Sequence, residues 1–190
     1  MTIKEFMFQY ALGTLSKDDL KRISKNTKSK KILTTLSKNK DRDVRYRVAK
    51  NNSTPIEVLT KLSNDEDRYV KKFAVRNPNI PVDVLATFFE NKDWYSRSCV
   101  ADNPSAPVYM LTKLSKDKNY IVRSRVANNP NTPNEVLKKL SKDKNYIVRS
   151  GVTYNPNTPI DIVAALSKDK RSKYVRSSAK KALLDKGIQV

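Results

Sequence analysis

The chain contains no histidine and only one cysteine, Cys99, in 190 residues. Without a second cysteine there is no internal disulfide, and no zinc or iron–sulfur site can be built from cysteines. Without histidine, ordinary zinc ligation and imidazole acid–base catalysis are missing too. No metal or cofactor is expected, and no catalytic residue is assigned. Apolar residues make up 38% of the chain, little for one compact core. No stretch approaches the roughly 18–20 apolar residues that a membrane span needs. The N-terminal stretch MTIKEFMFQYALG holds an acidic residue and no long apolar run, so it does not read as a signal peptide. A cytoplasmic protein is expected. Acidic residues are scarce: 19 Asp and Glu against 39 Lys and Arg leave a formal net charge of +20. Solubility of a small domain needs only about 2–8 charges. The excess favours polyanionic partners: nucleic acid, an anionic membrane surface or an acidic protein.

What the chain does have is a tandem repeat with a period of 26 residues. Asn-Pro recurs at Asn77-Pro78, Asn103-Pro104, Asn129-Pro130 and Asn155-Pro156. A second proline follows each time, at Pro81, Pro107, Pro133 and Pro159, and Pro55 sits one period earlier. A fixed period of this size signals a solenoid, in which each unit buries a thin strip against its neighbours. That pattern suits binding along an extended surface better than catalysis in a pocket.

The stretch from Lys116 to Leu140 serves as the model unit. Ile121, Val122, Val126 and Ala127 predict a short helix over Tyr120–Asn128 with one buried stripe. Asn128-Asn129-Pro130 ends it, since asparagine tolerates a left-handed closing residue and proline cannot continue the helix. Thr132, Pro133 and Glu135 predict a capping box with a proline in the first turn of a second helix. Thr54-Pro55-Ile56-Glu57 and Thr158-Pro159-Ile160-Asp161 repeat the device, while Ile80 and Ala106 occupy the cap slot in the middle repeats. Leu137 and Leu140 form the buried pair of the second helix, with equivalents Leu59/Leu62, Leu85/Phe88, Leu111/Leu114 and Val163/Leu166. Two helices of about nine residues are marginal alone, so stacking must supply the stability. Full units start at Asp43, Tyr69, Tyr95, Ile121 and Ile147. The expected layout is one continuous domain: residues 1–41 an N-terminal helical cap with a degenerate repeat, 42–170 five repeats, and 171–190 a C-terminal capping helix over Tyr174–Leu184.

The consensus V-R-x-x-V-A-x-N-P-x-T-P-x-x-V-L-x-x-L-S-x-D, carried best by Val44–Leu62 and Val122–Leu140, resembles the leucine-rich repeat variant family over roughly residues 43–183. The resemblance implies an all-α, right-handed superhelix of short two-helix repeats. The family's founding member is associated with a cysteine-ligated iron–sulfur domain, which does not transfer to a chain with only Cys99. The family has no common activity, so the resemblance says little about function. A looser similarity is to HEAT repeats, which carry an Asp six residues before an Arg in a ladder between neighbours. Here Asp117 precedes Arg123, Asp143 precedes Arg149 and Asp65 precedes Lys71 by that interval. HEAT-like solenoids include DNA glycosylases for alkylated bases, whose carboxylate and aromatic set has no match at positions of this chain.

Several residue groups are candidates for chemistry. The column Arg45, Lys71, Arg97, Arg123, Arg149 and Arg176 reads either as phosphate clamps or as the ladder that ties repeats together, the regular offset favouring the ladder. The inter-repeat turns carry Lys38 and Lys40, Lys116 and Lys118, Lys142 and Lys144, and Lys168 and Lys170, reinforced by Arg171 and Lys173. These, with Arg47 and Arg125, are the candidate nucleic-acid-binding residues. Asn64-Asp65-Glu66-Asp67 interrupts the ridge. A basic run, Lys17, Lys21, Arg22, Lys25, Lys28, Lys30 and Lys31, is either an arm along a nucleic acid or a solvated capping helix. Tyr69, Trp94, Tyr95, Tyr120, Tyr146 and Tyr174 could stack on bases, and their periodic slot favours packing between repeats. Cys99 takes the slot of Arg47, Phe73, Arg125 and Gly151 and is read as incidental. Asp93, Asp102 and Glu90 near Trp94 are the one carboxylate–aromatic cluster.

The sequence therefore predicts a monomeric, sequence-tolerant nucleic-acid binder, DNA ahead of RNA, acting through phosphate contacts. The alternatives are a scaffold for an acidic protein partner and a HEAT-like alkylpurine DNA glycosylase.

Overall fold

In a computed structural model of the protein, which describes residues 1–189, every regular element is an α-helix. Helices α1 (Ile3–Leu12), α2 (Lys17–Asn26) and α3 (Lys30–Leu36) come first. Five pairs follow: α4 (Arg42–Lys50) with α5 (Ile56–Leu62), α6 (Arg68–Val75) with α7 (Val82–Phe89), α8 (Trp94–Ala101) with α9 (Val108–Leu114), α10 (Tyr120–Asn128) with α11 (Asn134–Leu140), and α12 (Tyr146–Tyr154) with α13 (Ile160–Leu166). Helix α14 (Lys173–Leu184) closes the series. The chain divides inside α7 into two compact units, Met1–Thr87 and Phe88–Val190.

Each unit is a stack of two-helix repeats. In the first, α2, α4 and α6 pack side by side; in the second, α8, α10, α12 and α14 do. Within each unit a second helix bridges two first helices: α3 touches α2 and α4, α5 touches α4 and α6, α9 touches α8 and α10, α11 touches α10 and α12, and α13 touches α12 and α14. Val122, Val126 and Ala127 are fully buried, as are Leu137 and its partners Val136 and Leu140 to within a few per cent. Helices of seven to nine residues hold because each buries one stripe against two neighbours rather than by propensity.

The residues at the turns do different work from that expected. Among the described residues no side-chain-bearing residue has a positive φ. Asn129 is extended, at φ −72° and ψ 127°, so it does not close α10 in the left-handed region. Instead its side chain is buried and its Nδ2 donates to the carbonyls of Ala101 and Asn103 in the preceding repeat, at 2.8 and 2.7 Å. Asn155 does the same to Ala127 and Asn129, and Asn77 to Ala49 and Asn51. Each Oδ1 accepts the N–H two residues on, which folds the turn. The recurring asparagine is thus a rung between repeats, and it satisfies helix-end carbonyls that would otherwise be buried without donors.

The capping box is also replaced. The hydroxyls of Thr54, Thr132 and Thr158 donate backwards to the carbonyls of Val48, Val126 and Val152. The second helices begin after the proline with no side-chain cap. The threonine slot is buried, which explains why Ile80 and Ala106 also fit there. In α7 the buried ring is Phe89 rather than the expected Phe88, which is only partly covered.

Candidate nucleic-acid interface

The turn joining one repeat to the next alternates in direction. In Lys116-Asp117-Lys118 and Lys142-Asp143-Lys144 the aspartate points in and both lysines point out to solvent. Asp143 accepts Arg123 Nε and Nη2 at 2.7 and 3.0 Å, while its Oδ1 also takes the Asn145 N–H. Asp169 holds Arg149 in the same way at 2.7 and 3.2 Å, and Asp65 holds Arg45 at 2.8 and 3.0 Å. Asp117 holds Arg97. The remaining Nη1 of each arginine donates to two carbonyls of its own incoming turn, as Arg123 does to Asp117 and Lys118. The ladder therefore runs from each arginine forward to the aspartate twenty residues on, and the six-residue offset marks a backbone contact. Arg149 is 1% exposed. A guanidinium so enclosed is a structural tie, and the phosphate-clamp reading falls for Arg45, Arg97, Arg123 and Arg149. At positions 71 and 91 the pair is replaced by Lys71 and Asn91.

The acids of the turns are thus neutralised internally. For Asp143 burial alone would raise the carboxyl pKa, but the Arg123 and Asn145 hydrogen bonds outweigh it and hold the value below the ordinary 3.8. Asp117 and Asp169 are lowered for the same reasons. Outside, Lys38, Lys40, Lys116, Lys118, Lys142, Lys144, Lys168, Lys170, Arg171 and Lys173 are all exposed. In the second unit the surface of three successive turns is positive with its aspartates turned away. Arg125 is exposed and lies 3.6 Å from Asp102. Arg47 is partly covered, and its Nε is buried without a hydrogen-bond partner.

The N-terminal basic run is split. Lys17 pairs with Asp41 at 2.8 Å, Arg22 with Asp19 at 2.8 Å, and Lys21 lies near Asp18 and Asp43. Lys25, Lys28, Lys30 and Lys31 project into solvent. The acidic turn of the second repeat has its own partners, with Arg45 reaching Glu66 and Arg42 reaching Asp67.

The aromatic slot meets the packing expectation in part, and Tyr95 is partly covered. Tyr69, Trp94, Tyr120, Tyr146 and Tyr174 stand at the N-terminal ends of first helices and are 38–56% exposed. Tyr146 and Tyr174 meet across neighbouring repeats, edge to face at 6.0 Å. The carboxylate cluster does not converge on a pocket: Asp93 caps α8 through the N–H groups of Tyr95 and Ser96, Glu90 pairs with Lys113, and Asp102 faces Arg125. Cys99 is buried.

A basic–aromatic group in the first unit is not among the residues that the sequence singles out. Lys50 and Lys72 Nζ and the Arg76 guanidinium lie 5.8, 5.7 and 5.4 Å from the centre of the Phe73 ring, and Tyr46 abuts that ring edge-on at 4.7 Å. The sequence does carry a signal for it. In α4 and α6 the slots equivalent to Ser124, Arg125 and Asn128 of α10 hold Tyr46, Arg47 and Lys50, then Lys72, Phe73 and Arg76. Down the stack these slots change from a mainly basic set in α4 and α6 to one in α8, α10 and α12 that keeps Arg125 alone as a base.

Paired short helices, stacked first helix on first helix and tied by asparagine and arginine ladders, define an all-α helical-repeat protein of the solenoid class. No family model matches the chain, and no curated protein matches it significantly. Among solved structures it is similar to a leucine-rich repeat variant with a novel repetitive structural motif, at 24% identity over 92% of this chain and 70% of that one, with a TM-score of 0.55. That likeness establishes the fold. Matches of lower TM-score are an archaeal HEAT-like repeats protein from Thermococcus onnurineus NA1 (15% identity, 92% of this chain and 99% of that one, TM-score 0.37) and an engineered protein (20%, 90% and 89%, 0.34). Among the described residues no helix is long and apolar enough to cross a membrane, and no group of three or more Cys, Asp or Glu is placed to hold a metal ion.

Proposed function

We propose that the protein binds nucleic acid without sequence preference, DNA ahead of RNA, through phosphate contacts made by the lysines of its inter-repeat turns. The observation that carries this reading is the alternation at three turns of the second unit, where Asp117, Asp143 and Asp169 are each tied inward to an arginine and both flanking lysines face solvent. The effect is a positive edge whose counter-charges are turned away, on a chain of net charge +20. Successive first helices pack about 8–10 Å apart, so lysine pairs recur about every third step of a strand that rises about 3.4 Å per nucleotide. Lysine ammonium groups there serve as point charges for phosphates, which position a protein without reading bases.

The test is fluorescence anisotropy of labelled duplex DNA, single-stranded DNA and RNA, titrated between about 50 and 200 mM salt. Phosphate neutralisation gives log K falling linearly with log salt, at about 0.9 per phosphate for duplex. Charge reversal at Lys116, Lys118, Lys142 and Lys144 flattens that slope. Absence of binding at the lowest salt sinks the reading and moves an acidic protein partner to the front.

A further inference from the structure

We infer that the second unit takes single-stranded nucleic acid in preference to duplex, with unpaired bases stacking on the aromatic residues beside the lysine turns. This rests on the nucleic-acid reading above and adds the strandedness of the ligand.

The argument starts from adjacency. At each repeat of this unit an exposed cation is followed within two residues by an exposed ring: Lys92 by Trp94, Lys118 by Tyr120, Lys144 by Tyr146, Lys173 by Tyr174. The residue between, Asp93, Asn119 or Asn145, caps the helix with its side chain and holds the ring at the helix N-terminus, beside the turn. Because α8, α10, α12 and α14 pack consecutively, the pairs recur once per repeat along one edge. Cation and ring alternate, which matches a strand whose phosphates and bases alternate. Duplex DNA hides its base faces, so it could use the cations and leave the rings idle. An unpaired strand can use both, and stacking is tolerant of sequence because every base has a π-face.

The helix face beside these rings fits the same ligand. In this unit it carries Ser124, Ser150, Asn128 and Gly151, where the first unit has Tyr46, Lys72, Lys50 and Phe73 at equivalent slots. A groove of about 690 Å³ runs over Ser124, Ser150 and Gly151 and is walled by Tyr146, Tyr154 and Tyr174. Tyr154 is 54% exposed. Gly151 lets α12 approach α10 closely beneath the groove: a Cβ there would come within 2.9 Å of Asn128 Nδ2 and 3.0 Å of Ala127 Cβ. A neutral floor between aromatic walls receives flat rings, whereas a basic floor would bind only phosphates.

The experiment compares the full chain on oligothymidine, oligouridine and a mixed-sequence duplex of equal length at about 50 mM salt, where phosphate contacts are strong. The single strands bind more tightly than the duplex, and oligothymidine against oligouridine separates DNA from RNA as the source. Trp94, the one tryptophan in the chain, reports stacking directly by quenching on the single strands and not on the duplex. Tyr120→Ala, Tyr146→Ala and Tyr174→Ala each weaken single-strand binding by about fivefold or more. They leave duplex affinity and both salt slopes unchanged, and the Phe variants keep wild-type affinity, which separates stacking from loss of fold. Equal or tighter duplex binding, or alanine variants indistinguishable from wild type, overturns this inference and leaves phosphate binding standing. No binding of any of the three overturns the reading beneath it.

Discussion

Arg149 is the most enclosed charge in the protein, and it shows what one side chain does for a repeat. Its three nitrogen positions join two turns: Nη1 to the carbonyls of Asp143 and Lys144, Nε and Nη2 to the Asp169 carboxylate. Removing one partner leaves the other charge buried and uncompensated, which costs about 3–5 kcal/mol. Arg149→Ala and Asp169→Ala should each lower the unfolding free energy measured in urea by that amount, while Arg149→Met combined with Asp169→Leu should be much milder. The same pairs set an acid limit. Asp117, Asp143 and Asp169 have folded pKa values below 3.8 because arginine and backbone hydrogen bonds outweigh their burial. The folded state then binds fewer protons than the unfolded one between the two values, so the stability from these groups is present above the unfolded pKa. It is lost as pH falls through the folded values. Thermal unfolding followed from pH 7 downward should show this contribution intact to about pH 5 and declining progressively from about 4 downward, and Asp143→Asn should blunt the loss.

At the scale of the element, the joint between helices carries the specificity. Asn129 bridges two carbonyls of the preceding repeat, and Thr132 closes onto Val126 of its own. The asparagine bridge has no substitute. Asn129→Ala should cost about 1–3 kcal/mol for each carbonyl left without a donor. Thr132→Ala should cost about 1 kcal/mol or less, because the slot already accepts Ala106 and Ile80. Equal costs in denaturant unfolding would refute this ranking. Gly151→Ala should destabilise by about 1–3 kcal/mol through overpacking against α10. These joints also mark how far local reading reaches. The helix over Tyr120–Asn128 and the leucine pair of α11 are legible because apolar spacing reports a buried stripe directly. The roles of Asn129 and Thr132 are not. Both residues suit local helix-end motifs equally well, and the carbonyls they serve lie 28 and 6 residues away.

At the scale of the molecule, stability and binding are separable in the inter-repeat turns. The backbone of Lys118 and Lys144 supports the ladder through its carbonyls, while the side chains stand in solvent. Lys118→Glu with Lys144→Glu should therefore leave unfolding within about 0.5 kcal/mol of wild type. The same pair should weaken nucleic-acid binding and reduce the duplex salt slope by about 0.9 for each phosphate that is no longer neutralised. Loss of stability would show that the side chains belong to the ladder; unchanged binding would remove the turns from the interface.

The period of 26, the asparagine and proline positions and the excess of basic residues determine by themselves that this is a stack of short paired helices with a positive surface. Each is a local or additive property, since periodicity reports burial and charge simply sums. Tertiary structure alone decided which charges count. Arg45, Arg97, Arg123 and Arg149 are drawn inward because an aspartate twenty residues on meets them across the repeat, while the lysines on either side of that aspartate in the second unit are turned out. It also decided that the tyrosines at the helix starts stay half exposed, because the helix cap orients the ring and only the packed neighbour determines whether anything covers it.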